Sequence, residues 1–361
     1  MKITFVVPIL NLAGGQRVVA IYAELLAKKG HIVTVVSPNK KKVTIKGRIK
    51  SLLNWKGYSF NSSFDDAFFR NSSYVVKLLN TFRAVENSDV PDADIVIATF
   101  WNTAEWVNTF SEAKGKKVYF IQHYEFHSWL PVDRVKETLN FPFKRVAVSR
   151  WIADILADEL GIDDVEVVGN GVDEKQFFSA PRKKNEQFTV GVMYADELSF
   201  KGCDTSIASF LKAQSIIPSI KIVAFAKHLP VASLPLPKGA IFYLNPKQDE
   251  IRAIYGQCDA WLFGSRNEGF GLPILEAMAC RTPVIGTKAG AAPELLQNGA
   301  GHLVNIDDVD AMAAAIVDMA EMTDEAWGVL SEKALTVAKK NSWLVKVNEF
   351  EQVLLRFNSE V

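Results

Sequence analysis

Ser265-Arg266-Asn267-Glu268-Gly269-Phe270-Gly271-Leu272-Pro273-Ile274-Leu275-Glu276-Ala277-Met278-Ala279 is the stretch on which the reading of this chain turns. It follows residues 259–263, a short apolar run of strand type. A Gly-containing loop comes next, and Pro273 suits the first position of a helix, where no backbone N–H is needed. Gly269 and Gly271 let the backbone approach a ligand closely. The unpaired amides at the start of that helix form an anion site fit for a diphosphate. Glu268 and Glu276 bracket the loop. Placed in the first helical turn, Glu276 can accept hydrogen bonds from two neighbouring ribose hydroxyls, the task an acidic residue has in dinucleotide folds. Each acid alone has a plainer explanation, a dipole-stabilising residue for Glu276 and a solvated loop acid for Glu268. Two acids at this spacing, with two glycines between them, favour a nucleotide site.

Outward from this stretch, β-branched runs alternate with longer amphipathic segments. Residues 3–7, 32–37, 95–99, 117–122, 145–149 and 165–169 read as strands in the first half. A helical period runs over 16–29 and ends at Gly30. The second half repeats the scheme, with strands at 188–193, 221–226, 240–244, 260–263, 283–286 and 302–304 and a helix at 203–214. Residues 307–361 are almost wholly helical in pattern. Such alternation predicts α/β architecture with parallel, doubly wound sheets. The polar stretch from Ser179 to Gln187 carries a proline and reads as a linker. Two Rossmann-like domains are expected. Residues 1–178, joined by a helix over 342–361 that packs back, form the first, and 186–341 form the second.

The chain has 361 residues, enough for two domains of ordinary size. Lys+Arg and Asp+Glu both number 41, so the net charge is zero and no electrostatic footprint for nucleic acid exists. Cys203, Cys258 and Cys280 share no metal-ligand spacing and are too few for a disulfide framework. The first residues lack the pattern of a signal peptide, and no apolar run approaches the ~20 residues that span a bilayer. A cytoplasmic protein is expected. The stretch from Lys40 to Trp55 departs from this neutrality. Lys40, Lys41, Lys42, Lys46, Arg48 and Lys50 are interleaved there with apolar residues. Its plainer reading is a solvated loop, and its sharper one is weak peripheral contact with an anionic inner-membrane surface.

The 265–279 stretch resembles the Glu-x7-Glu motif of retaining glycosyltransferases of the GT-B fold, family 4. The resemblance extends over nearly the whole chain. Gly14-Gly15, Asn170-Gly171-Val172-Asp173, Lys201-Gly202, Thr282-Pro283-Val284-Ile285, and Gly290 with Glu294 fall in family order. It implies two Rossmann-like domains facing across a cleft, with the C-terminal helix crossing back to the first. By that resemblance Glu268 holds the donor sugar and Glu276 the ribose. The amides around Gly269, Phe270, Gly271 and Leu272 meet the diphosphate, and Lys201 neutralises it. Gly14 and Gly15 form the loop over which donor and acceptor meet. His123 contacts the donor sugar near the reacting carbon, and Asn245 lies in the turn that meets the base. The family also implies a nucleotide-sugar donor, with UDP-glucose the first choice, and a saccharide or lipid-linked saccharide acceptor. Trp101, Trp106, Tyr124, Phe126 and Trp129 offer ring faces suited to such an acceptor, the plainer reading being core packing, above all for Trp106.

One departure stands out. The family's Gly-Arg pair, about six residues before the lysine, is replaced by Gly191-Val192-Met193, so its arginine is absent. Arg266 and Arg150 are the candidates to stand in. No metal or other cofactor is expected. Asp92-Ala93-Asp94 matches a metal-binding Asp-x-Asp but sits at the entry of a strand. No zinc spacing, Walker motif or Gly-x-Gly-x-x-Gly is present. Two other functions are compatible with the fold, a non-hydrolysing sugar-nucleotide epimerase and a non-catalytic nucleotide-sugar-binding subunit.

Overall fold

The computed structural model describes residues 1–39, 66–126, 130–195 and 199–360. The basic stretch from Lys40 to Trp55, and Trp129, lie outside them. In chain order the elements are β1 (Lys2–Val6), α1 (Gly14–Lys28), β2 (Ile32–Ser37), β3 (Val75–Leu78), β4 (Ile95–Ala98), α2 (Trp101–Asn108), β5 (Lys116–Ile121), α3 (Val132–Leu139), β6 (Lys144–Ala147), α4 (Arg150–Leu160) and β7 (Val165–Val167). They continue with β8 (Thr189–Met193), α5 (Cys203–Ile216), β9 (Lys221–Ala226), β10 (Ile241–Leu244), α6 (Ile251–Gly256), β11 (Ala260–Phe263), α7 (Leu272–Ala279), β12 (Val284–Thr287), α8 (Ala292–Leu296), β13 (Gly301–Val304), α9 (Val309–Glu321), α10 (Asp324–Lys340) and α11 (Trp343–Ser359). The chain forms two compact units. One comprises Met1–Ala147, Gly161–Val168 and Val347–Val361, the other Val148–Leu160 and Gly169–Lys346. The stretch from Ser179 to Gln187 lies inside the second.

In the first unit seven parallel strands run in the order β3-β2-β1-β4-β5-β6-β7. β1, β4 and β5 are buried on both faces and carry near-continuous apolar runs, as strands covered by helices require. β3 is the edge strand and alternates exposed with half-buried residues, a pattern too weak to stand out in the sequence. The last helix supplies core to this unit. Phe350 is fully buried, with ring centroids 4.6 Å from Tyr22 and 5.1 Å from Phe120. Glu351 accepts from His31 Nε2 at 2.7 Å and pairs with Lys29 at 3.0 Å.

In the second unit six parallel strands run β10-β9-β8-β11-β12-β13. Its core includes the fully buried Trp261 and Trp327, and Trp327 Nε1 donates to the Asp259 carbonyl at 2.9 Å. The polar stretch 179–187 is tied to this core. Arg182 pairs with the buried Asp259 at 2.9 Å, and Asn185 Nδ2 donates to the same carboxylate at 3.0 Å.

Both sheets reverse direction once, the first between β1 and β4 and the second between β8 and β11. Open α/β sheets have their ligand crevices at such switch points, beyond the carboxyl ends of the strands.

Truncating Phe350 to alanine removes a fully buried ring from contact with Tyr22 and Phe120 and leaves a cavity. The expected cost is ~3–5 kcal/mol, read as a lowered midpoint in urea melts of the full chain. A loss below about 1 kcal/mol would show that the C-terminal helix adds no core to the first unit.

Candidate functional site

The loops after β8 and β11 meet backbone to backbone. Gly202 has φ 57°, and a Cβ there would fall 1.8 Å from the Gly264 carbonyl oxygen. A Cβ at Gly264 would lie 2.4 Å from the Gly202 carbonyl oxygen. Only glycine on both sides permits this approach. Arg266 and Asn267 then donate their N–H groups to the Phe200 carbonyl at 2.7 and 3.3 Å. These contacts set Lys201 Nζ on Glu268 Oε2 as an ion pair. Ser265 Oγ lies 3.4 Å from the same oxygen, and the ammonium sits 5.5 Å from the Phe200 ring centre. The two side chains are 18% and 11% exposed, so a charge on either needs the other.

The Glu268–Gly271 loop spends its carbonyls on the protein and keeps amides for something else. Ser149 Oγ donates to the Gly269 carbonyl at 2.8 Å, and Ala291 N donates to that of Phe270 at 2.9 Å. Gly290 packs beneath, where a Cβ would meet the Phe270 oxygen at 2.8 Å. Gly271, at φ 94°, is the N-cap of α7, and no side chain caps the helix. Ile274 N bonds the Gly271 carbonyl at 2.9 Å, and Pro273 has no N–H. Among the described residues the amides of Gly271 and Leu272 find no acceptor, which leaves a helix start of the kind suited to an anion.

Two expectations change here. The left-handed Gly271 cap starts α7 at Leu272, so Pro273 is second rather than first. Glu276 is then the fifth residue, in the second turn rather than the first. It is buried and accepts from Tyr255 Oη at 3.0 Å. Arg266 is also not available as a stand-in for the missing arginine. It grips Asp204 with both terminal nitrogens at 2.9 and 2.8 Å and Asp307 with Nε at 2.7 Å. Arg150 is exposed at the start of α4, beside Ser149, and its N–H donates to Glu294 Oε1 at 2.7 Å. Asn245, with φ 47°, forms the turn after β10 and donates its N–H to the Ala226 carbonyl at 2.6 Å.

In the first unit the β1 and β5 ends carry the other residues singled out. α1 begins at Gly14, two residues earlier than the periodicity suggests, with no side-chain cap. A Cβ on Gly14 would meet nothing within 4 Å, and one on Gly15 would lie 3.3 Å from Gln122 Oε1. His123 Nδ1 lies 3.0 Å from the Tyr124 carbonyl oxygen, so Nδ1 carries a proton in that contact. Trp101 and Trp106 are half-buried rather than core. Tyr124 and Phe126 pair at 4.3 Å between ring centres, and Arg134 lies over Trp101 at 4.9 Å.

Glu125, two residues beyond His123, was not singled out by sequence. It is buried and accepts the Trp101 N–H at 3.1 Å, at the start of α2. Burial pushes its carboxyl up to about 8, against the smaller opposing pull of that hydrogen bond. Its only sequence signal is an acid set between Tyr124 and Phe126. Asp92 and Asp94 serve structure instead, Asp92 pairing with Lys114 at 2.8 Å and Asp94 accepting the Lys2 N–H at 2.6 Å. No group of three or more His, Cys, Asp or Glu placed to hold a metal occurs among the described residues.

Residues 12–176 match the family model described as Glycosyltransferase Family 4, and residues 224–333 that described as Glycosyl transferases group 1. The O-antigen chain mannosyltransferase RfbU of Salmonella typhimurium is 26% identical over 317 residues, 84% of this chain and 81% of that protein. The phosphatidyl-myo-inositol mannosyltransferase of Mycolicibacterium smegmatis is 31% identical over 192 residues, 49% of this chain and 48% of its own length. The structure of Anabaena Alr3699/HepE in complex with UDP superposes with a TM-score of 0.73 at 18% identity, covering 99% of this chain and 100% of that one.

Two outcomes follow from this geometry. Alanine at Gly202 forces the two loops apart, so that variant should lose more stability than a surface change and weaken nucleoside diphosphate binding, read by melting and calorimetry. Unchanged binding would refute the backbone apposition. Glu125 has a folded pKa above its unfolded one, so its contribution is full below about 4.5 and is lost as pH rises towards about 8. Glu125 should therefore make wild-type stability fall with rising pH across that window, by on the order of 1 kcal/mol per unit, and Glu125→Gln should flatten the slope, leaving the part contributed by the raised Glu294 carboxyl. Parallel slopes in urea melts at pH 5.5 and 7.5 would overturn this assignment.

Proposed function

We propose that this chain, whose first half matches the Glycosyltransferase Family 4 model and whose second half matches the Glycosyl transferases group 1 model, is a metal-independent, retaining hexosyltransferase. The family transfers sugar from a nucleotide sugar in glycan assembly. The observation that carries the finer reading is the Lys201–Glu268 pair beside the uncapped start of α7, at a topological switch point.

Each group has a distinct task in this reading. The amides of Gly271 and Leu272, with the loop at Gly269 and Phe270, receive the diphosphate. Lys201 answers the charge that grows on it as the sugar–oxygen bond breaks, where a fixed cation helps most. Glu268 takes the sugar hydroxyls, Glu276 the ribose, and the turn at Asn245 the base. On the first unit, His123 is assigned to the sugar and Gly14 and Gly15 to the meeting of donor and acceptor. The acceptor hydroxyl attacks the anomeric carbon on the face the diphosphate leaves. Its proton passes to a diphosphate oxygen, and the configuration is kept.

Relatives named mannosyltransferases make mannose the first donor sugar to test, with UDP-glucose, the choice from sequence, as the second. A saccharide or lipid-linked saccharide is the acceptor. No helix among the described residues is long and apolar enough to cross a membrane. We take the stretch from Lys40 to Trp55 as the contact with an anionic inner-membrane surface, because six cations there contribute about 1 kcal/mol each near such a surface.

GDP-mannose and UDP-glucose, each offered with and without EDTA, test the reading. Turnover that survives EDTA and gives a product of unchanged anomeric configuration by NMR is expected. Inversion, or activity lost to EDTA and restored by manganese, would overturn it, as would an epimerised donor. Glu276→Ala should weaken nucleoside diphosphate binding by ~1.5–3 kcal/mol, and unchanged affinity in calorimetry would remove its ribose role. Co-sedimentation with anionic vesicles at low and high salt should separate wild type from a Lys40/Lys41/Lys42→Ser variant; equal partitioning would dismiss the membrane contact.

A further inference from the structure

Arg266 lies two residues before Glu268, and its guanidinium points away from that acid into a cluster of its own. Its terminal nitrogens take both oxygens of Asp204 at 2.9 and 2.8 Å. Nε takes Asp307 at 2.7 Å, and Nη2 reaches Thr205 Oγ1 at 3.1 Å. Thr205 Oγ1 in turn donates to Asp307 at 2.9 Å. Asp307 has the left-handed φ of 61°, a conformation uncommon outside glycine and one that its surroundings must hold. The arginine also draws the Asp204 carboxyl below the usual carboxylate range through its hydrogen bonds.

Three segments are joined in this way. Asp204 stands in the first turn of α5, three residues after Lys201. Arg266 stands in the loop that ends at α7, and Asp307 precedes α9. The Arg266 N–H closes the same link at Phe200. A planar fork that engages two carboxylates has little freedom to shift, unlike a single exposed ion pair.

We infer that Arg266 is a positioning residue: its grip on Asp204 and Asp307 holds the Lys201 turn against the Glu268 loop, so that ammonium and carboxylate stand ready for the donor. This rests on the function proposed above, with Lys201 on the diphosphate and Glu268 on the sugar. The chain thus keeps an arginine for its diphosphate site, acting through the lysine and not on the phosphate.

Donor hydrolysis without acceptor, followed with GDP-mannose or UDP-glucose, tests the inference on Arg266→Ala, Arg266→Lys, Asp204→Asn and Lys201→Ala, with calorimetry of the matching nucleoside diphosphate and melting curves alongside. Arg266→Ala should lower kcat by about tenfold or more in folded protein, and Asp204→Asn should do so in the same direction. Arg266→Lys should not rescue turnover, because a point ammonium cannot engage both carboxylates. The Arg266→Ala/Asp204→Asn double variant should be about as impaired as the worse single, as residues acting through one link are. A folded Arg266→Ala with kcat and donor KM within about twofold of wild type, beside an impaired Lys201→Ala, would overturn the inference alone. Wild-type turnover by Lys201→Ala would overturn the reading of the site itself. If Arg266→Ala does not fold, Arg266→Lys decides, and near-normal turnover by that variant counts against the inference.

Discussion

Lys201 and Glu268 stand on different loops, and those loops meet at a contact with no side chain in it. Gly202 and Gly264 face each other so closely that either Cβ would collide with the opposite carbonyl. Once the two backbones touch, the Phe200 carbonyl can accept two amides of the neighbouring loop, and the ion pair falls into place. The remaining features of the second unit depend on that register. The Gly269 and Phe270 carbonyls of the next loop accept from Ser149 and Ala291, which fixes its backbone at the start of α7. An ordinary residue at either glycine separates the loops and removes the reason for everything beyond them.

The sheet order explains why this contact arises where it does. β8 and β11 are neighbours although β9 and β10 come between them in sequence. The loop leaving β8 and the loop leaving β11 therefore start from adjacent strand ends at the switch point, which lets Gly202 and Gly264 meet. The first unit repeats the arrangement with β1 and β4, which places Gly14 and Gly15 at the start of α1 and brings Glu125 to the start of α2. Both helix starts in question lack side-chain caps.

The sequence made the local part of this visible and hid the long-range part. The 265–279 stretch carries its own loop, glycines and helix start, so its geometry could be anticipated from neighbours within a few residues. Fully buried strands such as β9 and β11 declared themselves as apolar runs. β3 did not, because an edge strand that alternates exposed and half-buried residues looks like loop. Glycine's low helix propensity likewise concealed that α1 begins at Gly14. Arg266 seemed a candidate for the diphosphate because nothing local shows what it binds; Asp204 and Asp307 are 62 and 41 residues away. Glu125 was missed for the same kind of reason, since burial is set by what packs around a residue and not by its neighbours in the chain.

Three buried glutamates show how this chain divides the problem of placing a carboxylate out of water. Glu268 has a cation against it. Glu276 has a phenol hydroxyl and lies within a helix, on the same side as Leu272 four residues before it. Glu125 accepts one backbone N–H and, among the described residues, is paired with no cation, and burial raises its carboxyl. These differences bear on exchange. On the function proposed above, Lys201 can turn to the donor diphosphate only if Glu268 is compensated, and the hydroxyls of the incoming sugar offer that compensation. Donor binding at this site is then a replacement of one set of charged hydrogen bonds by another rather than a gain of wholly new ones. On that reading its affinity is set by the difference between the two sets.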